Sequence, residues 1–105
     1  MTGVQTCALP ISKHGTPTLE ELEELGDEIA EKWMKLGRRL GVSDAKLQGI
    51  NQGHYELDEK GYHMLKHWKQ EKGSVATYQA LCEALQHKLV KRKDLAEKFC
   101  YINGN

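Results

Sequence analysis

Apolar residues recur at every third or fourth position along most of the chain from Leu19 onward, which is the spacing of one face of an α-helix. No segment alternates apolar and polar side chains with a period of two, so the sequence predicts no β-sheet. We expect six helical segments packed as an antiparallel bundle. The core is expected to bury Trp33, Leu36, Leu40, Leu47, Leu65, Trp68, Leu81 and Leu85.

Capping residues predict where several of these helices begin. Thr18 is a candidate N-cap of the first helix, and Glu21, three residues later, completes a capping box. Ser74 is expected to cap the fifth helix, with Val75 as the first residue of its apolar stripe. Around residues 30–32 nothing breaks the helical pattern, so the first two segments could also form one continuous helix.

The first 17 residues differ from the rest of the chain. They show no periodicity and contain both prolines, so we expect residues 1–17 to be a flexible, disordered N-terminal leader. The string GVQTCALPIS also resembles a translated sequencing adapter, in which case the leader is not native. Residues 18–102 are expected to form one domain.

The net charge, the cysteines and the length of the apolar runs argue against several classes of function for this chain, namely nucleic-acid binders, disulfide-rich secreted proteins and membrane-spanning proteins. The chain has 105 residues with 15 basic and 15 acidic side chains, whereas a dedicated nucleic-acid binder usually carries a basic excess. Its three cysteines lack CxxC spacing, which indicates reduced thiols and a cytoplasmic location. No apolar run approaches the roughly 18 residues that a membrane span needs.

The stretch LGRRLGVSDAKLQGINQGHYELD, residues 36–58, allows two interpretations. One is a DNA-binding helix-turn-helix, whose second helix would start at Ser43. Asp44 would then point a carboxylate at the DNA phosphates, which repel it. The segment before the two candidate helices also carries seven acidic residues with no lysine or arginine between them. We therefore expect DNA binding to be absent or non-specific, and keep the helix-turn-helix as the alternative to an interaction bundle.

Five segments within residues 19–101 resemble, in the same order, the helix motifs of the death domain, a six-helix bundle of the death-fold superfamily. One such match would be weak because leucine patterns are common, but five in order with two tryptophans in place are more specific. The loop QHKLVK, residues 86–91, looks longer than usual for that family. The matching segments are Trp33 with LGRRLGV (36–42), SDAKLQGI (43–50), MLKHW (64–68), LCEAL (81–85) and RKDLAEKF (92–99).

This resemblance implies an all-α six-helix antiparallel bundle of death-domain type. It also implies an adaptor module in the cytoplasm that binds other death domains, its own copies included. Such binding would cluster effectors in apoptotic or inflammatory signalling. No enzymatic activity, small-molecule substrate, nucleic acid or membrane partner is expected.

The sequence contains little that indicates chemistry. His63 and His67 are spaced i, i+4, as zinc ligands can be, but HExxH is absent and no third ligand is evident. Whether His54 or His87 lies near these two histidines depends on the tertiary packing, which the sequence does not show. We therefore expect solvent-facing histidines and no cofactor, metal site or catalytic residue.

Charge layout provides the candidate interaction residues. The first helix is expected to carry an acidic face and the second a basic face, which suit asymmetric contacts between two death domains. The alternative is two ordinary solvated surfaces that partly neutralise each other within one chain. The acidic face comprises Glu20, Glu24, Asp27 and Glu31, and the basic face comprises Lys32, Lys35, Arg38 and Arg39.

Overall fold

The computed structural model describes residues 13–100, and within that range it contains six α-helices and no strand. Short 3₁₀ turns, Ala30–Lys32 and Gly73–Val75, follow the first and fourth helices. The prediction of an all-α helical bundle is therefore confirmed. The helices are α1 (Leu19–Ile29), α2 (Trp33–Arg39), α3 (Asp44–Gly53), α4 (Leu57–Lys72), α5 (Tyr78–Gln86) and α6 (Lys93–Phe99).

The core lies around α4, the longest helix, which packs against α1, α2 and α3. Helix α5 packs against α6 and α2, and α6 also contacts α1. All eight side chains expected in the core are buried, and none is more than 6 % exposed. The spacing of the apolar residues therefore identified these eight core positions correctly.

Helices α1 and α4 make their closest approach at two glycines, Gly26 and Gly61. A Cβ on Gly26 would lie 2.6 Å from the backbone nitrogen of Tyr62. A Cβ on Gly61 would lie 2.8 Å from the carbonyl oxygen of Gly26. These neighbours are backbone atoms, which cannot move aside as a side chain can, so the crossing requires a glycine on each helix.

The start of α1 has the predicted capping box and an additional link to α5. The Thr18 hydroxyl accepts from the Glu21 backbone N–H at 3.1 Å, and Glu21 accepts from the Thr18 backbone N–H at 3.0 Å. The Tyr78 hydroxyl donates to the same Glu21 carboxylate at 2.5 Å. Burial disfavours the charged carboxylate, but these hydrogen bonds and a nearby lysine ammonium hold the pKa of Glu21 below its ordinary value. Burial and the carboxylate together raise the pKa of Tyr78 to about 12.

Replacing Glu21 with alanine should lower the free energy of unfolding by about 1–2 kcal/mol at neutral pH, because it removes half of the cap and a hydrogen bond to Tyr78. The pKa of Glu21 in the folded state lies below its pKa in the unfolded state, so its contribution to stability is fully present at any pH above the unfolded-state pKa. The contribution is lost as the pH falls through the folded-state pKa. Urea unfolding at several pH values should show the difference from the parent shrinking in acid. Glu23→Ala, at an exposed site on the same helix, should show no such trend.

The first and second helices are separated by a sharp break, where the sequence also allowed one continuous helix. Ala30 has a φ of 51° and ends α1, and a 3₁₀ turn then leads into α2. A positive φ is uncommon for alanine, so packing on both sides must impose it. Ile29 and Trp33, which flank the turn, are both buried. The Nζ of Lys32 donates to the Val90 carbonyl at 2.7 Å and so ties the turn to the α5–α6 loop.

Helix α5 begins later than predicted. Thr77, rather than Ser74, is its N-cap, and the Thr77 hydroxyl accepts from the Ala80 backbone N–H at 3.1 Å. Val75 lies in the preceding 3₁₀ turn with 63 % of its surface exposed, so its place in the apolar stripe was wrongly predicted. Ala76 is buried instead, because the turn changes the direction in which the chain enters α5.

Residues 13–17 lie against the bundle, although the sequence grouped them with the flexible leader. The Lys13 backbone N–H donates to the Cys100 carbonyl at 2.6 Å, and the Gly15 carbonyl accepts from the Tyr78 backbone N–H at 3.1 Å. The Nζ of Lys69 donates to the Pro17 carbonyl at 2.6 Å. This segment therefore connects the starts of α1 and α5 with the end of α6. Residues 1–12 and Ile102 lie outside the described residues.

Candidate protein-interaction surfaces

The acidic face is exposed but is not confined to one helix. Glu20, Glu24 and Asp27 lie on α1, and all three side chains are exposed. Glu31 is also exposed, but it lies in the 3₁₀ turn beyond the break at Ala30. The expectation that all four carboxylates share the first helix was therefore wrong for Glu31, because that helix ends earlier than its periodicity suggested.

One lysine of α6 partly offsets the charge of α1. Lys98 forms an ion pair with Glu28, which lies beside the acidic face rather than in it. A hydrogen bond from Lys98 to Glu28 raises the pKa of Lys98 despite some desolvation, and attraction to Glu24 adds to the effect. The acidic face consequently keeps a net negative charge that is largely directed to solvent.

The basic face divides into one anchored and three exposed cations. Lys32 is half-buried, and its ammonium donates a hydrogen bond to the Val90 carbonyl of the same chain. Lys35, Arg38 and Arg39 are exposed on α2. Lys32 thus contributes a contact within the chain, whereas the other three side chains are exposed at the surface.

Leu89, which the sequence did not single out, adjoins these three cations. Its side chain is 50 % exposed, and together with Lys35, Arg38 and Arg39 it lines a depression of about 110 Å³. We call these four residues the basic patch. Leu89 comes from the long α5–α6 loop, and sequence patterns could not place that loop beside α2.

Hydrogen bonds hold this loop in a defined position. The Arg92 backbone N–H donates to the Leu85 carbonyl at 2.8 Å, and the Val90 backbone N–H donates to the His87 carbonyl at 2.9 Å. The ammonium of Lys32 then connects Val90 to the turn before α2. Leu89 is therefore presented beside the basic side chains by a loop that is fixed at both ends.

A second, wider depression lies next to the basic patch. Arg38 and Arg39 line a cleft of about 430 Å³ together with Trp68, Glu83 and His87. Trp68 is almost wholly buried, so little of its ring is available to a ligand. The cleft runs from the two arginines of α2 to residues of α5. One of these is Glu83, which contributes an exposed carboxylate to the lining of the cleft.

Within residues 13–100, no ion pair joins the acidic face to the basic patch. Of the residues in the acidic face and the basic patch, Arg38 forms a salt bridge within the described chain. Its partner is Asp44 on α3, with Nε of Arg38 3.1 Å from Oδ1 of Asp44. Both side chains of that pair are substantially exposed, so the bridge is weak and exchangeable. Among the described residues, direct ion pairs between the two faces therefore do not neutralise their charges.

The same ion pair bears on the helix-turn-helix alternative. In that interpretation α3 would enter a DNA groove by its first turn, which begins at Asp44 after the Ser43 cap. Arg38, the cation of α2 beside this turn, is paired with Asp44. The Asp44 carboxylate at the candidate reading position is therefore paired within the chain.

The cysteines of the described residues are buried, whereas two histidines of α4 lie beside carboxylates. Cys82 and Cys100 are buried, and burial raises the pKa of Cys100 to about 12, so that its thiolate is disfavoured. His67 lies beside Glu71, with Nε2 3.4 Å from Oε1. His63 lies against Glu59 and His54, and these three residues are the candidate metal ligands of the described chain. Cys7 lies outside the described residues.

No helix within residues 13–100 combines the length and the apolar character needed to span a bilayer.

The family profile of the death domain matches residues 18–102, which include all six helices and both surfaces described above. No curated protein matches the chain significantly. The profile covers most of the chain and agrees with the order of motifs and with the all-α bundle. The chain therefore belongs to the death-domain family.

Proposed function

We propose that this domain associates with a second death domain by docking its basic patch on the acidic face of the partner, and that a copy of this chain can supply that face. Death domains are protein-interaction modules of apoptotic and inflammatory signalling. An interaction module of this kind acts in the cytoplasm by bringing together effectors attached to each copy. The contact is asymmetric, so it need not close and can extend into a helical assembly.

The composition of the basic patch carries this proposal. A half-exposed leucine surrounded by three long cationic side chains matches the common design of an interface, with an apolar centre and a polar rim. The leucine contributes affinity when it is desolvated, and the cations select an acidic partner and speed the encounter. Lys32 supports the patch from within by fixing the α5–α6 loop.

The acidic face is the natural complement of this patch. Its four carboxylates are exposed, and the neighbouring cation, Lys98, is already paired with Glu28. Because such contacts lie at a rim, they are screened over a Debye length of about 8 Å at physiological ionic strength. Association should therefore weaken as the salt concentration rises.

Reversing two charges of the basic patch should abolish association. The double variant Arg38→Glu with Arg39→Glu replaces attraction by repulsion at two exposed positions, so the fold should be retained. A second variant, Glu20→Lys with Glu24→Lys, should also fail to self-associate. Mixing the two variants should recover part of the binding, because the swapped charges again oppose each other. Light scattering and pull-downs on the four pairings measure this directly.

Two controls separate specific docking from general charge effects. Lys72→Glu with Lys93→Glu makes the same change in net charge at two exposed lysines outside the patch and should leave association intact. Leu89→Ala should weaken association at every salt concentration, because burial of an apolar side chain is not screened by ions. Random-sequence duplex DNA, offered as a negative partner at physiological salt, should not bind selectively.

The proposal fails if association of the parent chain is unaffected by salt and by the Arg38/Arg39 reversal together. It also fails if the parent shows no association while the fold is intact by circular dichroism. In either case the two faces are ordinary solvated surfaces.

A further inference from the structure

We propose that His54, Glu59 and His63 form a binding site for a divalent transition-metal ion, with Zn²⁺ as its representative. The site is independent of the death-domain contact proposed above. It joins His54, the residue directly after α3, to Glu59 and His63 in the first two turns of α4. The sequence suggested His63 with His67, for which no third ligand was evident, but the fold brings together a different set.

The geometry provides three ligand atoms around one point. The Nε2 of His63 lies 3.4 Å from Oε1 of Glu59, one helical turn earlier. The ring of His54 is stacked on that of His63, with the centroids 4.0 Å apart and the planes 12° from parallel. One ligand atom from each residue lies within 4.8 Å of the other two.

These separations are close to those of a bound ion. Metal–ligand distances of about 2.0–2.2 Å place the ligand atoms of a tetrahedral site about 3.3–3.6 Å apart. The Glu59–His63 pair already has that spacing, at 3.4 Å. His54 must move by roughly 1–1.5 Å and tilt out of the stack. Its backbone is extended beyond the end of α3, so the rotamer limits of a helix do not apply to its side chain.

The ligand types select the class of metal. Two imidazoles with one carboxylate suit zinc, copper, nickel and iron, whereas calcium and magnesium prefer oxygen ligands alone. Three protein ligands leave a fourth position for water, as in open zinc sites. The neighbouring cations Lys46 and Lys66 line the same cleft and lower the affinity for a cation, so the site should be weaker than a closed structural site.

His67 supplies a matched control on the same helix. Its Nε2 lies 3.4 Å from Oε1 of Glu71, the same spacing as in the Glu59–His63 pair. No third metal ligand accompanies His67 and Glu71 among the described residues. A single histidine–carboxylate pair on a helix should bind a metal ion much less tightly than the three-residue set.

Calorimetric titration of the intact chain with Zn²⁺ tests the proposal. We expect one ion per chain and no comparable binding of Mg²⁺ or Ca²⁺. His54→Ala and His63→Ala should each weaken Zn²⁺ binding by at least about tenfold, because even loss of an outer-shell partner commonly costs that much. His67→Ala should leave it within about twofold. Bound Zn²⁺ should also raise the unfolding temperature of the parent but not of His54→Ala.

Three results would overturn the site. These are absence of Zn²⁺ binding by the folded parent, equal loss of binding in His67→Ala and His54→Ala, and a stoichiometry of one ion per two chains, which indicates bridging between copies. Circular dichroism of each variant without metal shows that the fold is intact. If His54→Ala is unfolded, His54→Asn provides a smaller change in polarity at the same position, with the same expected loss.

Discussion

Replacing Leu81 with alanine should lower the free energy of unfolding by about 2–5 kcal/mol, the range for truncating a buried leucine. Leu81 is 1 % exposed and lies on α5, which packs against α6 and α2. A domain of this size has a total stability of about 5–15 kcal/mol, so the variant should be partly unfolded at 37 °C if the parent lies at the low end. Urea unfolding followed by circular dichroism measures the change.

Leu89→Ala makes the same chemical change at a half-exposed position and is the control for Leu81→Ala. Its unfolding free energy should lie within about 0.5 kcal/mol of the parent, because little apolar surface is buried there. Equal stability losses at Leu81 and Leu89 would show that the inward face of α5 has been assigned wrongly. The Leu89 variant also serves the association assay, since its fold should be intact.

Alanine at Gly26 should destabilise the bundle by about 1–3 kcal/mol, the cost of overpacking, although alanine is intrinsically the better helix former. The new methyl group would lie 2.6 Å from the Tyr62 backbone nitrogen and 3.0 Å from the Gly61 carbonyl carbon. Relief requires α1 and α4 to move apart, which loosens the most extensive helix contact in the molecule.

Gly49→Ala is the matched control for this substitution. Gly49 also lies within a helix, α3, but a Cβ added there would meet no neighbouring atom within 4 Å beyond the backbone of its own helix. Alanine there should stabilise the protein by about 0.5–1 kcal/mol through the same helix propensity. Chemical unfolding of the two variants should therefore give changes of opposite sign. Two changes of the same sign would mean that the approach of α1 to α4 is not the controlling contact.

The sequence by itself determined the all-α class, several of the helix starts and most of the inward-facing positions. These features depend on neighbours within a few positions. The capping box at Thr18 and Glu21 is a contact between residues three apart, and the buried stripes follow from 3.6 residues per turn. The order of motifs was sufficient to suggest the death-domain family, which the profile match then confirmed.

Local pattern was less informative where tertiary packing overrides it. Nothing in the sequence marks Ala30 as a helix end, and its positive φ is sustained by the buried residues on either side and by the Lys32–Val90 contact. Nothing in the sequence of α1 marks Gly26 as a point of contact with another helix. The requirement for a residue without a side chain at this position follows only from the close approach of α4 to α1.

Only the tertiary structure decided which charged and apolar side chains share a surface. Lys32 was assigned to the basic face on helical periodicity, but a carbonyl 58 positions away engages its ammonium. Leu89 joins the arginines of α2, and His54 stacks on His63, across loops whose course no periodicity describes. Periodicity specifies the direction of a side chain relative to its own helix, whereas a binding surface depends on how separate helices and loops pack together.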